Sequence, residues 1–314
     1  MQKLSCCLFI FFAIVVNAAN DYFDLLQDEF EAKPTGQVRR FYITVEEGIW
    51  DYASEMDANA NVPDTNLLGT RYYKALYHEY EDASYTKKKE RFRWQGNMGP
   101  ILRAEVGDII QVFFWNRATR NYTMHPHGVF YETNQNYTYT WNVLPRTGPG
   151  PNDGDSIVWG YHSHVSENDI YAGLYGAIAV YKAGTLSNDQ VVTSVFVGDE
   201  NLSPYLAKTM STLYPHVDTS KYTRAQLYSA HQFRCVNGLI SLAPLGWGTY
   251  WDVRHIKWEN SQVSWNGEVV DHIRLMPASF YTATIKPSKR EGHFKFGSLD
   301  DEVNGMSMKY HVSL

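Results

Sequence analysis

Two short motifs hold the residues best suited to chemistry, His125-Pro-His127-Gly128 and His162-Ser-His164. On a β-strand the side chains of residues i and i+2 leave the same face, so each motif aims two imidazoles at one spot. If the two strands are neighbours, four nitrogen donors converge. Neutral imidazole suits copper and zinc, and such a set could hold one ion or two of the three members of a copper cluster. The competing reading is that each pair is an ordinary polar strand end, and spacing alone leaves both open. Other enzyme chemistries find less support. His78-Glu79-Tyr-Glu-Asp82 begins like a zinc-protease helix but carries Asp82 where the second histidine belongs. The chain has no Gly-x-Ser-x-Gly nucleophile turn and no phosphate-binding glycine loop.

The elements that would position these histidines read as β-structure. From Arg39 onward, short runs rich in Tyr, Phe, Val and Ile alternate with turn residues, as in Phe41-Tyr-Ile-Thr-Val, Ile109-Ile-Gln-Val-Phe-Phe-Trp and Ala177-Ile-Ala-Val-Tyr. Nine Trp, 23 Tyr and 15 Phe in 314 residues agree, because aromatic rings fit a half-buried pleated surface. That length can bury two cores of ~150 residues each. A polar break at Lys182-Ala-Gly-Thr-Leu-Ser-Asn-Asp189, before strands resume at Val191, marks the boundary between them. Phe23, Leu26 and Phe30 stand at helical spacing in the acidic stretch 21–32, a short amphipathic helix or a loose arm.

At 44% hydrophobic and 20% charged residues, the composition excludes disorder and a multi-span membrane protein. The net charge of −6, with Lys and Arg scattered, argues against a nucleic-acid partner. The basic run Lys87-Lys-Lys-Glu-Arg91 could be a partner patch, with a solvated strand end or turn the better reading. Lys3, the apolar run Leu8–Val16 and the small residues Ala18 and Ala19 read as a signal peptide, followed by no second apolar run and hence no membrane anchor. The sequons at Asn121, Asn136 and Asn201 are compatible with secretion and would be glycosylated on surface loops. Cys6 and Cys7 fall inside the signal peptide, leaving Cys235 either as a small buried hydrophobe or as an interchain bridge.

A series of motifs carries a specific resemblance. Arg71-Tyr-Tyr-Lys-Ala-Leu-Tyr-His-Glu-Tyr, Gly99-Pro-Ile-Leu-Arg-Ala-Glu-Val-Gly-Asp108, Met124-His-Pro-His-Gly-Val-Phe-Tyr131, Tyr161-His-Ser-His and Asp169-Ile-Tyr-Ala-Gly-Leu-Tyr-Gly176 occur in order. They resemble the A domains of ceruloplasmin-type and hephaestin-type multicopper oxidases, an architecture shared with coagulation factors V and VIII. Asp199-Glu-Asn-Leu-Ser-Pro-Tyr-Leu206, Val236-Asn-Gly238 and Met276-Pro-Ala-Ser279 extend it more faintly. The resemblance implies an all-β chain of two tandem cupredoxin-like Greek-key sandwiches forming one A domain. The expected layout is a signal peptide over 1–18, an acidic arm over 19–38, a first cupredoxin-like domain over 39–184 and a second over 185–314.

In such oxidases a type 1 copper collects electrons and a trinuclear cluster, held by eight histidines from two facing domains, reduces dioxygen. The resemblance gives His125 a type 2 role and His127, His162 and His164 type 3 roles. The second half departs from the pattern. The His-x-x-His-x-His strand is expected at Gln262-Val-Ser-Trp-Asn-Gly267, with Arg254-His-Ile-Lys-Trp-Glu-Asn260 as the other register, and neither holds the motif. Counting back from Gly305-Met306 sets Phe296 in place of the bridging cysteine and Asp301 in place of a type 1 histidine. The usual cysteine pair of the first half is Ser156 and Tyr181, and the stretch 132–136 is too short for the calcium loop of some relatives. The expectation is therefore a secreted protein with a partial copper site at His125, His127, His162 and His164 and no oxidase chemistry of its own. Its role would be binding, through an extracellular protein partner, or structural. The alternative is one component of a heteromeric ferroxidase-type oxidase, with a complementary subunit supplying the missing ligands.

Overall fold

The computed structural model describes residues 36–51, 70–91, 95–132, 138–186, 192–197, 203–216, 240–246, 253–265, 267–276, 279–280, 282–287, 289–300 and 307–312. The expectations for the signal peptide, the acidic arm, Asn136, Asn201, Cys235 and Met306 lie outside them. Among the described residues no helix is long and apolar enough to cross a membrane.

The first half contains β1 (Val38–Asp51), β2 (Arg71–Tyr80), β3 (Leu102–Glu105), β4 (Ile109–Asn116), β5 (His125–Pro126), β6 (Phe130–Glu132), β7 (Thr138–Asn142), β8 (Ser156–His162) and β9 (Tyr175–Tyr181). They build a five-stranded sheet in the order β2-β1-β4-β7-β6 and a four-stranded sheet in the order β3-β9-β8-β5. Alternation in β4 buries Ile110, Val112 and Phe114, and these meet Leu102, Tyr161, Ile178 and Val180 of the other sheet in one apolar core. Period-2 patterning thus becomes a sandwich, each sheet hiding the inner face of the other. A short helix α1 (Asn168–Ala172) links β8 to β9 and ends at Gly173, whose φ of 117° suits glycine.

The second half contains β10 (Val192–Val197), β11 (Ile240–Gly246), β12 (Arg254–Trp258), β13 (Ser261–Trp265), β14 (Glu268–Val270), β15 (Ile273–Leu275), β16 (Ser279–Phe280), β17 (Ala283–Pro287), β18 (Gly292–Ser298) and β19 (Ser307–Val312). Its sheets run β10-β11-β17-β13-β14, with β16 beside β11, and β15-β12-β18-β19. The pairing repeats that of the first half. A parallel pair (β1 with β4, β10 with β11) is followed by an antiparallel partner (β7, β17), while β5-β8-β9 and β12-β18-β19 are antiparallel ladders in the opposite sheet. The chain is all-β, with a cupredoxin-like sandwich in each half.

The halves touch at defined points. The Val158 amide donates to Thr282 Oγ1 at 3.0 Å. Helix α2 (Leu206–Leu213) lies against β2, where the Tyr73 amide donates to Thr209 Oγ1 at 2.8 Å. Just before α2, the Tyr205 hydroxyl donates to Glu47 Oε1 at 2.5 Å and lies 2.7 Å from the hydroxyl of Tyr122. The basic run is a paired surface turn, Lys87 with Glu81, Lys88 with Glu46 and Lys89 with Glu79. Ser156 and Tyr181 stand directly opposite each other on β8 and β9.

Candidate metal centre

The two histidine motifs meet because β5 and β8 are antiparallel neighbours, with His125 directly opposite His162. The amide of His127 donates to the Gly160 carbonyl at 2.9 Å, so the pairing continues one residue beyond β5 and fixes the second imidazole as well. Gly128 then turns the chain at φ +75°, and a Cβ there would lie 2.1 Å from the Trp159 indole. That indole is anchored by its Nε1 hydrogen bond to the Thr147 carbonyl at 2.8 Å. The glycine following the histidine is thus required by both backbone sign and space.

Beneath the other motif, Ser163 is buried and donates to Asp169 Oδ2 at 2.6 Å while accepting from the Thr123 amide at 3.2 Å. Asp169 also accepts from the Ser166 amide at 3.1 Å. The His164 amide donates to Thr123 Oγ1 at 2.9 Å. Serine between two histidines therefore ties the end of β8 to α1 and to the approach to β5. Gly176 and Gly99 complete the support, since a Cβ at either would fall within 2.5 Å of the Tyr161 side chain, which sits between the motifs and the core. The Tyr161 hydroxyl donates to the Pro100 carbonyl at 2.6 Å.

All four imidazoles come together. Ring centroids lie 4.6 Å apart for His125 and His164, 5.1 Å for His127 and His162, 5.2 Å for His125 and His127, and 5.7 Å for His162 and His164. His125, His127 and His162 each offer a ring nitrogen within 4.8 Å of the others, and His164 lies exposed at the rim beside Val165. His127 Nε2 and His162 Nε2 are 2.9 Å apart. His162 Nδ1 lies 2.7 Å from the Ser163 carbonyl, an acceptor, so Nδ1 carries the proton and Nε2 offers its lone pair. With that tautomer the Nε2–H of His127 donates to His162, and for His127 to bind an ion through Nε2 its proton would move to Nδ1.

Burial pushes the pKa values of His127 and His162 down to about 4, and nearby imidazoles push the same way, His162, His125 and His164 on His127 and His125 and His164 on His162. His125 is lowered too, by burial and then by His164. At neutral pH these rings are uncharged, the form that ligates metal. The donor set is nitrogen-rich and partly desolvated, which fits copper or zinc and not calcium or magnesium.

The second half supplies an internal comparison and corrects two sequence expectations. The Glu259 amide donates to the Lys295 carbonyl at 2.9 Å, the counterpart of His127 to Gly160. Lys257 stands opposite Gly297, the counterpart of His125 opposite His162. The positions equivalent to His125, His127, His162, Ser163 and His164 are therefore Lys257, Glu259, Gly297, Ser298 and Leu299. The motif strand is β12 and not the expected Gln262–Gly267 stretch, because β13 pairs with β14 and β17 in the other sheet. Phe296 does not occupy the cysteine position. It is buried and stacks on Trp258 at 4.5 Å, and Ser298 stands there instead. Counting back from Met306 failed because the register of β18 is set by its pairing with β12 and not by residue spacing from Met306. Neither correction restores a ligand.

Asn121 is exposed at the surface, as glycosylation requires. Asp169 and Gly176 carry no local sequence signal of a role at the site, and Gly128 only its place after the His-Pro-His motif. Their supporting roles follow from contacts between residues distant in sequence.

A family model described as multicopper oxidase matches residues 79–184. Mouse hephaestin is 28% identical over 84% of this chain and 28% of its own length. Human coagulation factor V is 28% identical over 81% of this chain and 14% of its own length, and human ferroxidase HEPHL1 is 28% identical over 79% and 27%. The chain thus spans less than a third of each of these relatives. Among solved structures, a multicopper oxidase superposes with a TM-score of 0.55 at 16% identity, covering 90% of this chain and 92% of that one. A copper nitrite reductase from Nitrosomonas europaea gives 0.54 at 13% identity over 88% and 94%. These two likenesses concern the fold alone.

Proposed function

We propose that this chain, which carries a multicopper-oxidase-type domain and is similar to hephaestin and coagulation factor V, is a secreted protein that binds copper through His125, His127, His162 and His164 and performs no oxidase chemistry alone. The domains proposed are the cupredoxin-like units 39–184 and 185–314. The carrying observation is the convergence of four imidazoles on β5 and β8 around a 2.9 Å Nε2–Nε2 contact. The equivalent second-half positions carry Lys257, Glu259, Gly297 and Leu299, which offer no imidazole to a copper cluster. A type 1 copper needs a thiolate, and the equivalent position carries Ser298. When bound, copper would supply a redox-active centre; the chain's own residues orient it, exclude water on the buried side and leave the His164 side open.

The test is the metal content and electron paramagnetic resonance of the protein isolated from its natural source, beside the double variant His127→Ala, His164→Ala. Copper retained by the natural protein and lost from the variant is the expected result. Absence of copper from both, with normal folding, overturns the reading. The open rim at His164 and the 55% exposed Val165 favours a second reading, in which another chain completes the cluster. A co-purifying chain with a His-Cys-His motif, together with iron oxidation by the complex, would select it.

A further inference from the structure

We propose that the second half carries a separate transition-metal site, a clamp for one Cu(II) or Zn(II) ion formed by His293 on β18 and His311 on β19. The two residues stand directly opposite each other in the antiparallel register, and their ring centroids lie 4.6 Å apart at an interplanar angle of 38°. Burial alternates along β18, with Phe296 and Ser298 inside and His293 exposed, and Val312 of β19 is buried beside a half-exposed His311. Both imidazoles are therefore on the outer face of the sheet, open to solvent ions.

Two ligands held about 2.0–2.1 Å from one ion at angles between square and tetrahedral have nitrogens about 3 Å apart. A ring nitrogen lies roughly an ångström from its centroid, so small rotations about the side-chain bonds bring both nitrogens to that spacing. The strand pairing supplies the approach, and the ion need not organise the backbone. The next opposed pair along this face is Lys295 and Lys309, which makes the setting poor for calcium or magnesium and selects ions that prefer nitrogen. The site is independent of the first-half histidines. It would lock β19 to the rest of its sheet.

The experiment uses the full chain with all four first-half histidines replaced (His125→Ala, His127→Ala, His162→Ala, His164→Ala), so that the opposed pair His125 and His162 cannot compete, titrated with Cu(II) and separately with Zn(II), with binding read by equilibrium dialysis and by the thermal midpoint. The expected result is a bound ion that raises the midpoint, with affinity falling about a hundredfold in either His293→Gln or His311→Gln, because a single imidazole cannot chelate. Equal affinity in the parent and both variants overturns the proposal. So does a loss on substituting only one of the two histidines, which would show that the ion is not shared between the strands. The same substitutions in the wild-type chain remove the weaker binding phase and leave the stronger one, so failure here is distinct from failure of the first-half site.

Discussion

Gly128→Ala tests how the first-half site is held. The residue sits at φ +75°, where a side chain costs about 1 kcal/mol. The new Cβ would lie 2.1, 2.4 and 2.5 Å from three atoms of the Trp159 ring. Carbon atoms pack at about 3.5–4.0 Å, so the indole must retreat by more than an ångström. Such overpacking costs about 1–3 kcal/mol. Moving the ring also strains the Trp159 Nε1 hydrogen bond to Thr147, worth about 1 kcal/mol net. The sum is a destabilisation of about 3–5 kcal/mol, together with weaker copper binding because His127 is the preceding residue. Equilibrium urea unfolding of the full chain measures it. A double-mutant cycle with Trp159→Ala separates the parts, since removing the indole should recover the packing cost and leave the backbone cost of about 1 kcal/mol. A loss below about 1 kcal/mol, or no coupling between the two positions, would refute this account of the site.

Acidification should destabilise the metal-free protein over a defined window. His127 and His162 titrate near pH 4 when folded and at the ordinary 6.5 when unfolded, so the stability of the neutral rings is full above about 6.5 and is lost as pH falls toward 4. For the well-buried His162 the change is about 3 kcal/mol, read from the urea midpoint, and a profile that is the same in His162→Phe would count against it. Ser163→Ala removes the hydroxyl joining Thr123 to the buried Asp169 and should cost about 1–3 kcal/mol by leaving polar groups unmatched. A neutral unfolding curve for that variant would show that the Ser166 contact suffices.

The sandwich in each half was readable because strand alternation is a local signal. Ile110, Val112 and Phe114 announce one buried face without any partner being known. The convergence of the four histidines was readable in part, since each His-x-His fixes one face of one strand. Whether β5 and β8 are neighbours depends on topology, which spacing does not encode. Ser156 and Tyr181, named from the resemblance, do face each other across β8 and β9, a pairing no local pattern reveals. The second half misled for the same physical reason. A register inferred from Met306 depends on loop length, whereas the true register is set by backbone hydrogen bonds such as Glu259 to Lys295. Asp169 and Thr123 were silent in the sequence because their importance lies in contacts made after folding.

The two halves also act as a control on one another. The same ladder, with the same 2.9 Å amide-to-carbonyl bond, forms around His127 in one half and around Glu259 in the other. The frame therefore does not require imidazoles at these positions. Packing four of them together depresses the pKa values of His125, His127 and His162, largely through burial, so protonating the cluster carries an energetic cost. A group that the fold does not need and that costs stability when protonated is explained by a ligand. Transplanting the second-half residues as His125→Lys, His127→Glu, His162→Gly and His164→Leu tests this. The resulting chain should fold with an unchanged far-ultraviolet spectrum, lose its copper, and shed most of its acid sensitivity between pH 6.5 and 4. A transplanted chain that fails to fold would show that the histidines hold the sandwich together, and the ligand explanation would fall with it.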